Sequence, residues 1–317
     1  MIAMADPREY RRAYPAGATL QSWTAPDGWP LRVFDWPAEG ERRRGAILFQ
    51  VGRGDFVEKY LETLAHWQAA GWHVTALDWR GQAGSGRLTS EPQVGHVGDF
   101  SHYLRDLAAF WRDWNGRTPG PHVAIGHSMG GHLILRALAE SSIAPDAAVL
   151  VAPMLGLRAP GGARVGEALA RLLGGLGRAE RAAWKGNERP YTVATRQTLL
   201  THDADRYADE QWWQAENPAL VTGPPSWRWL IQAFESGRRL RASPLEQIAV
   251  PVQVLVAEAD RLVDPAAALA VARRLPDARV VRFGAESAHE ILREVDPVRS
   301  RAVEAIDTFL DARVPRR

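Results

Sequence analysis

The chain has 317 residues, of which 46% are hydrophobic and 24% charged, an ordinary globular balance that excludes wholesale disorder and suits one large domain or one domain carrying an insertion. Net charge is only +2 and the arginines are scattered; the one tight cluster, Glu41-Arg42-Arg43-Arg44, reads as a solvated turn, so nothing marks a nucleic-acid partner. There is no cysteine, which removes disulfides, a thiolate nucleophile and thiolate metal sites, and neither a leader's apolar stretch nor a membrane span is visible, so a cytoplasmic protein is expected.

Polar residues through Arg12, and the tail Arg313 to Arg317, read as disordered. From Ala46 onward, short apolar runs alternate with amphipathic segments. Ala46 to Val51 predicts a buried strand. Phe56 to Ala70 predicts a helix with Phe56, Tyr60, Leu64 and Trp67 on one face, and Trp72 to Asp78 a strand. Phe100 to Trp114 predicts a helix, His122 to Gly126 a strand, Met129 to Ala139 a helix and Ala147 to Ala152 a strand. This alternation points to an α/β protein with a mostly parallel, twisted sheet covered by helices on both faces. Between Met154 and Ser243 the rhythm stops: glycines, helix patterns and Trp184, Trp212, Trp213, Trp227 and Trp229 replace it, with a leucine stripe at Leu169, Leu172, Leu173 and Leu176 broken by Gly174-Gly175. Strand Val252 to Ala257, helix Ala266 to Leu275, strand Arg279 to Phe283 and helix Val298 to Leu310 then resume it. Residues 1–153 with 244–317 are read as the core, and 154–243 as a helical cap inserted between two strands of one sheet.

The strand His122 to Gly126 runs into Gly126-His127-Ser128-Met129-Gly130-Gly131, and a helix pattern follows at once. This is G-x-S-x-G in the context of strand, tight turn and helix: the serine sits on a strained turn whose neighbours two positions away must lack side chains, at a helix N-terminus that favours developing negative charge. It points to a serine hydrolase of the α/β-hydrolase fold, with Ser128 as nucleophile. In that fold an acid and then a histidine follow the serine in the chain. Asp260 is preferred as the acid over Asp264, which precedes Pro265 as a helix N-cap would, and Glu258 stands third because it lies nearer the strand end. Of nine histidines only His289 follows the last strand and precedes the last helix, where the base belongs. His66, His102 and His132 read as surface or packing residues, His127 as part of the turn, and His96 as a loop residue beside the site. Two backbone N–H groups must meet the developing oxyanion: that of Met129, and one from the loop Val51-Gly52-Arg53-Gly54-Asp55, by position Arg53.

On these residues the chain resembles bacterial lysophospholipases and monoglyceride lipases over nearly its whole length. Gly52-Arg53-Gly54-Asp55-Phe56-Val57-Glu58-Lys59-Tyr60 is similar to that group's first strand-to-helix loop. Asp78-Trp79-Arg80-Gly81-Gln82-Ala83-Gly84-Ser85 is similar to its D-W-R-G-Q-G-x-S segment, with Ala83 where a glycine is expected. Leu200-Thr201-His202-Asp203 with Arg206-Tyr207 resembles a stretch of its cap, and His289-Glu290-Ile291-Leu292 its base loop. Monoglyceride lipases usually carry H-G-x-G where this chain has Val51-Gly52-Arg53-Gly54, which leans toward the lysophospholipase branch. The resemblance implies hydrolysis of a single-chain acyl ester without metal or organic cofactor, under a cap to which Leu172, Leu173 and Trp212 would contribute substrate-binding walls. Its expected partners are that small-molecule ester and, transiently, a membrane surface, with no obligate protein partner. The alternatives are a small-ester or lactone esterase, a peptidase of the proline-iminopeptidase type using Glu188, Asp203, Asp205 or Glu216 to hold the substrate amine, and a non-catalytic binding module.

Overall fold

A computed structural model of the chain describes residues 7–38, 43–159, 161–175, 177, 179–184 and 193–315. Eight strands form one sheet: β1 (Thr19–Thr24), β2 (Pro30–Trp36), β3 (Gly45–Gln50), β4 (Trp72–Leu77), β5 (His122–His127), β6 (Ala147–Val151), β7 (Val252–Ala257) and β8 (Ala278–Phe283). Their order is β1-β2-β4-β3-β5-β6-β7-β8; β1–β2 and β2–β4 pair antiparallel and all later neighbours parallel. The parallel strands match the predicted runs to within a residue or two, because β3, β6 and β7 are buried at every position and so are mostly apolar, Gln50 and Gln253 being the buried polar exceptions. The β1–β2 hairpin has no counterpart in the sequence reading. β1 is exposed along almost its whole length, so it carries no apolar run for a pattern to show.

Helices α1 (Leu61–Ala69), α2 (Ser101–Arg117) and α3 (Met129–Ala139) follow β3, β4 and β5 in turn. Right-handed crossovers place them by the direction of travel: β3 to β4 steps one way across the sheet, whereas β4 to β5 and β5 to β6 step the other way, so α1 and the pair α2–α3 lie on opposite faces. The predicted helix from Phe56 to Ala70 is divided. Val57–Tyr60 forms a 3₁₀ turn before α1, which brings Lys59 Nζ to 2.5 Å and Tyr60 Oη to 2.8 Å from the Asp55 carboxylate.

Between β6 and β7 the described residues hold no strand of the sheet; they form α4 (Ala163–Gly175), α5 (Val193–Leu200), α6 (Ala204–Glu216) and α7 (Trp227–Ala242). α8 (Pro265–Ala272) and α9 (Asp296–Arg313) complete the core, and α9 lies against α1 through the Arg299–Glu62 and His66–Asp307 pairs. Glu41, Arg42, Leu176 and Glu188 lie outside the described residues. Of that basic cluster, Arg44 is buried, paired with Asp311 at 2.5 Å and stacked 4.6 Å from the Trp72 ring.

Two expectations of disorder are corrected over the described residues, while residues 1–6, 316 and 317 lie outside them. Pro7–Arg12 is a 3₁₀ helix, fixed because Arg11 and Arg12 both bind Asp209 on α6 and the Arg11 carbonyl accepts from Trp213 Nε1 at 2.8 Å. At the other end α9 runs through Arg313, which pairs with Asp277. Among the described residues no helix is long and apolar enough to cross a membrane.

Candidate active site

Strand order reverses at β3: the chain leaves it for β4 on one side and returns to β5 on the other. A crevice therefore opens beyond the carboxyl ends of β3 and β5, where the ends of consecutive crossovers diverge. The loop after β3 carries Gly52 to Asp55, and the turn after β5 carries Ser128, so the reversal alone brings these two sequence motifs together.

Ser128 has φ 52° and ψ −114°, a left-handed conformation rarely adopted by a side-chain-bearing residue. Its flanking glycines are required by space. A Cβ on Gly126 would stand 2.6 Å from the Gly130 carbonyl carbon, and one on Gly130 would stand 2.3 Å from the Gln50 carbonyl oxygen. His289 Nε2 lies 2.9 Å from Ser128 Oγ, and His289 Nδ1 lies 2.6 Å from Asp260 Oδ2. The carboxylate fixes the proton on Nδ1, which leaves Nε2 as acceptor for the serine hydroxyl. The other oxygen of Asp260 accepts from Leu262 N at 2.8 Å and Val263 N at 3.1 Å, so its orientation is held from both sides.

The competing carboxylates have other partners. Asp264 caps α8, accepting from Ala266 N at 3.0 Å with Pro265 at the first helical position, and Glu258 pairs with Arg282 at the surface. Of the remaining histidines, His132 is fully buried against Ser236 and its pKa is pushed down to about 3, chiefly by burial, so it is a packing residue. His66 pairs with Asp307 and His102 with Arg105, while His96 bonds the Ser226 hydroxyl.

Burial works against the charged form of His289, but the Asp260 carboxylate, with Glu290 and Asp55 behind it, outweighs burial and raises its pKa above the ordinary 6.5. Asp260 is likewise opposed by burial, yet is held below the usual carboxylate value by His289 and its two backbone donors. A serine can pass its proton only to a neutral imidazole, so kcat/KM is expected to fall as pH drops through this raised pKa, with the midpoint of the acid limb above 6.5. A pH–rate profile on a substrate whose chemical step is limiting checks this; a midpoint at or below 6.5 contradicts it.

Met129 is the first residue of α3, directly after Ser128, so its N–H has no acceptor within the helix. The loop bearing Arg53 is pressed against the serine: a Cβ on Gly52 would lie 3.1 Å from Ser128 Cβ. Gln82, quoted above only within a resemblance, laces this loop on both sides, donating to Gly52 O at 2.9 Å and accepting from Gly54 N at 3.2 Å. Ala83, standing where a glycine was expected, has φ 43°, which explains the preference for glycine and leaves this chain with local strain.

Sequence reasoning also missed what lies beneath the loop. Asp55 accepts from Gly52 N at 3.1 Å, Lys59 and Tyr60, and meets His127 Nδ1 at 3.0 Å. Lys59 in turn reaches Glu290 at 2.6 Å and Glu210 at 3.0 Å. Burial works against Asp55, but Lys59 and then His127 hold its pKa well below the usual value. The only available signal was the helical spacing of Asp55 and Lys59, which is not distinctive.

A cleft of about 370 Å³ opens onto Ser128 and His289, walled mainly by apolar side chains that include Leu157, Leu169, Trp184, Trp227, Leu230 and Phe234. Leu172, Leu173 and Trp212 do not line it, which corrects the expected walls. On α4 the packing face is not the leucine stripe but the small residues Gly166, Ala170 and Gly174: a Cβ on Gly166 would meet Phe234 at 3.3 Å, and one on Gly174 Ile231 at 3.0 Å. That rotation turns Leu172 outward, 64% exposed. Trp212 lies on α6, edge-on to Trp213 and with the Arg12 guanidinium over its ring. Among the described residues no group of His, Asp and Glu is arranged to hold a metal ion.

Residues 41–296 match the family described as serine aminopeptidase, S33. Lysophospholipase L2 of Escherichia coli (strain K12) is 30% identical over 311 residues, covering 91% of this chain and 86% of that one. Phospholipase YtpA of Bacillus subtilis (strain 168) is 24% identical over 230 residues, covering 72% and 81%. Among solved structures, a soluble variant of monoglyceride lipase from Saccharomyces cerevisiae superposes with a TM-score of 0.75 at 19% identity, covering 94% of this chain and 97% of the other. A monoacylglycerol lipase from Paleococcus ferrophilus gives 0.70 at 21% identity, covering 89% and 99%; at such identities these two speak for the fold. The chain is therefore a hydrolase of the α/β-hydrolase fold that belongs to the serine aminopeptidase S33 family, with Lysophospholipase L2 of Escherichia coli among its relatives.

Proposed function

We propose that the chain hydrolyses single-chain acyl esters, lysophospholipid or monoacylglycerol, through an acyl-enzyme on Ser128. The observation that carries this reading is the apolar cleft of about 370 Å³ ending at Ser128 and His289, a size suited to an acyl chain. Ser128 Oγ attacks the acyl carbonyl while His289 Nε2 takes its proton, and Asp260 stabilises the imidazolium. The N–H groups of Arg53 and Met129 hold the oxyanion. His289 then protonates the departing alcohol and draws a proton from the water that releases the fatty acid.

In this reading residues 154–243 serve as the cap, since α4 and α7 supply Leu169, Trp227, Leu230 and Phe234 to the cleft. A transient contact with a membrane surface is part of it. Val165, Leu169 and Leu172 form one outward ridge on α4, 55%, 50% and 64% exposed, and Leu169 also reaches the cleft. The relative named Lysophospholipase L2 supports the substrate class.

The peptidase alternative draws on the family's description, but of the carboxylates offered for it none of the described ones lines the cleft. Asp203 caps α6, Asp205 and Glu216 are exposed, and Glu188 is outside the described residues. The acidic groups that do line the cleft, Asp55 and Glu290, are both paired with Lys59, and Glu290 also with Arg293.

A hydrolysis panel of lysophospholipids, monoglycerides, p-nitrophenyl esters of graded length and amino-acid amides, kept below micelle-forming concentrations, tests the reading. Each buried methylene contributes about 0.8 kcal/mol, so kcat/KM rises several-fold per carbon until the cleft is filled. Phe234→Asp erodes that preference more than it slows acetate hydrolysis, whereas Leu172→Asp on the outer face leaves it intact. A profile that peaks at acetate and falls with length promotes the small-ester alternative. Turnover confined to amides promotes the peptidase, and absence of labelling by a fluorophosphonate promotes the binding module.

A further inference from the structure

The segment Leu200-Thr201-His202-Asp203…Arg206, which no step above uses, lies between α5 and α6 and is bonded along its length to the loop that carries His289. The backbone N–H of His289 donates to Leu199 O at 3.4 Å, and that of Glu290 to Leu200 O at 2.7 Å. These acceptors are terminal carbonyls of α5, which have no partner within their own helix. The Thr201 hydroxyl donates to Arg293 O at 2.7 Å and accepts from Asp203 N at 3.0 Å. Arg206 Nη1 donates to Glu294 O at 2.9 Å, while Arg293 reaches back to the Arg206 carbonyl.

Glu294 is the hub. Its carboxylate is fully buried, and one oxygen accepts from Ala288 N, the residue before His289, at 2.7 Å and meets His202 Nδ1 at 3.0 Å. The other accepts from His202 N at 3.1 Å and Val295 N at 3.2 Å. One side chain thus ties the start of the base loop, the end of that loop and the α5–α6 segment. The base loop has no regular structure beyond the short 3₁₀ turn Ile291–Arg293, so its backbone donors must find acceptors elsewhere, and the α5–α6 segment provides them.

We propose that residues 199–206 form a strap that fixes the backbone of the base loop, with Thr201 and Glu294 as positioning residues that hold His289 Nε2 in line with Ser128. Neither side chain lines the cleft, so both act on the base and not on bound substrate. The strap is contributed from the cap side of the sequence, between β6 and β7, which makes geometry at the base depend on how α5 and α6 are seated. α6 is itself anchored, because Glu210 lies fully buried among Lys59, Arg196 and Arg293.

This inference rests on Ser128 and His289 being nucleophile and base. Thr201→Val keeps the shape of the side chain and removes both of its hydrogen bonds; Thr201→Ser keeps the hydroxyl. Glu294→Gln must turn an NH₂ group toward N–H donors on one side or the other. The experiment measures kcat and KM on a soluble medium-chain ester, per active site counted by fluorophosphonate labelling, together with the labelling rate and Tm. Thr201→Val is expected to lower kcat and the labelling rate roughly tenfold with KM nearly unchanged, Thr201→Ser to recover most of the loss, and Glu294→Gln to cost about 10- to 100-fold, since a displacement of the order of 1 Å at a reacting group has effects of this size. If Glu294→Gln does not fold, the Thr201 pair decides. Wild-type kcat and labelling rate in the folded variants, with only Tm lowered, overturn the strap and leave the site reading intact. A wild-type protein that hydrolyses the ester but is not labelled, and keeps its activity as Ser128→Ala, overturns the site reading and the strap with it.

Discussion

Ser128→Ala, His289→Ala and Asp260→Asn each lower kcat by at least about 10³-fold, and combining them adds little, because the three side chains act as one unit. The chain of contacts is continuous: Ser128 Oγ to His289 Nε2 at 2.9 Å, and His289 Nδ1 to Asp260 Oδ2 at 2.6 Å. Removing the hydroxyl removes the nucleophile, and removing the imidazole leaves its proton without an acceptor. Asn at position 260 is subtler. Its carboxamide is uncharged and can present NH₂ to His289 Nδ1, which favours the tautomer with the proton on Nε2, where it cannot accept from serine. The contrast is Asp264→Asn, which is expected to cost far less, since Asn still caps a helix and Asp264 accepts only from Ala266 N at the start of α8. Turnover of a soluble ester and fluorophosphonate labelling, with circular dichroism to confirm folding, measure all four variants. A lethal Asp264→Asn beside a mild Asp260→Asn would falsify the assignment of the acid.

Arg53→Pro comes next in size, at about 10²-fold or more in kcat, because proline has no N–H to offer the oxyanion. Arg53→Ala retains that donor and loses only what the guanidinium does: a hydrogen bond to Gly223 O at 3.0 Å and stacking 5.5 Å over the Trp229 ring, among its contacts. On a neutral short-chain ester the alanine variant therefore keeps most of its activity. The loop has independent support from Gln82 and Asp55, so loss of one side chain leaves the backbone near its place. Equal losses in both variants would assign the effect to the side chain. Arg53 also lines the cleft, and its planar fork of donors suits a phosphate. A selective loss on lysophospholipids in Arg53→Ala marks that second role, whereas an unchanged preference between lysophospholipid and monoglyceride removes it.

The parallel sheet and the proposed triad were legible from the sequence because both are governed by short-range rules. A strand buried on both faces is mostly apolar, as β3, β6 and β7 are apart from the buried Gln50 and Gln253, and a serine at φ 52° needs glycines at positions 126 and 130 whatever the rest of the chain does. Asp264 was separated from Asp260 by Pro265 alone, since an N-cap followed by proline is a local structural job. What the sequence could not display depends on which distant segments meet. β1 is exposed and owes its place to pairing with β2, which itself pairs with β4, so no apolar run announces it. The facing of α4 was misread because a leucine stripe and a small-residue stripe are both periodic on one helix. Close approach to α7 selected Ala170 and Gly174 for burial, with Gly166 half-buried beside Phe234, and left Leu172 in solvent. The buried charges Asp55, Lys59, Glu210, Glu290 and Arg293 looked like ordinary surface residues in sequence. Such charges can be buried only when each is matched by others with good geometry, and these partners come from three segments far apart in the chain, brought together only when the sheet, α6 and the base loop pack.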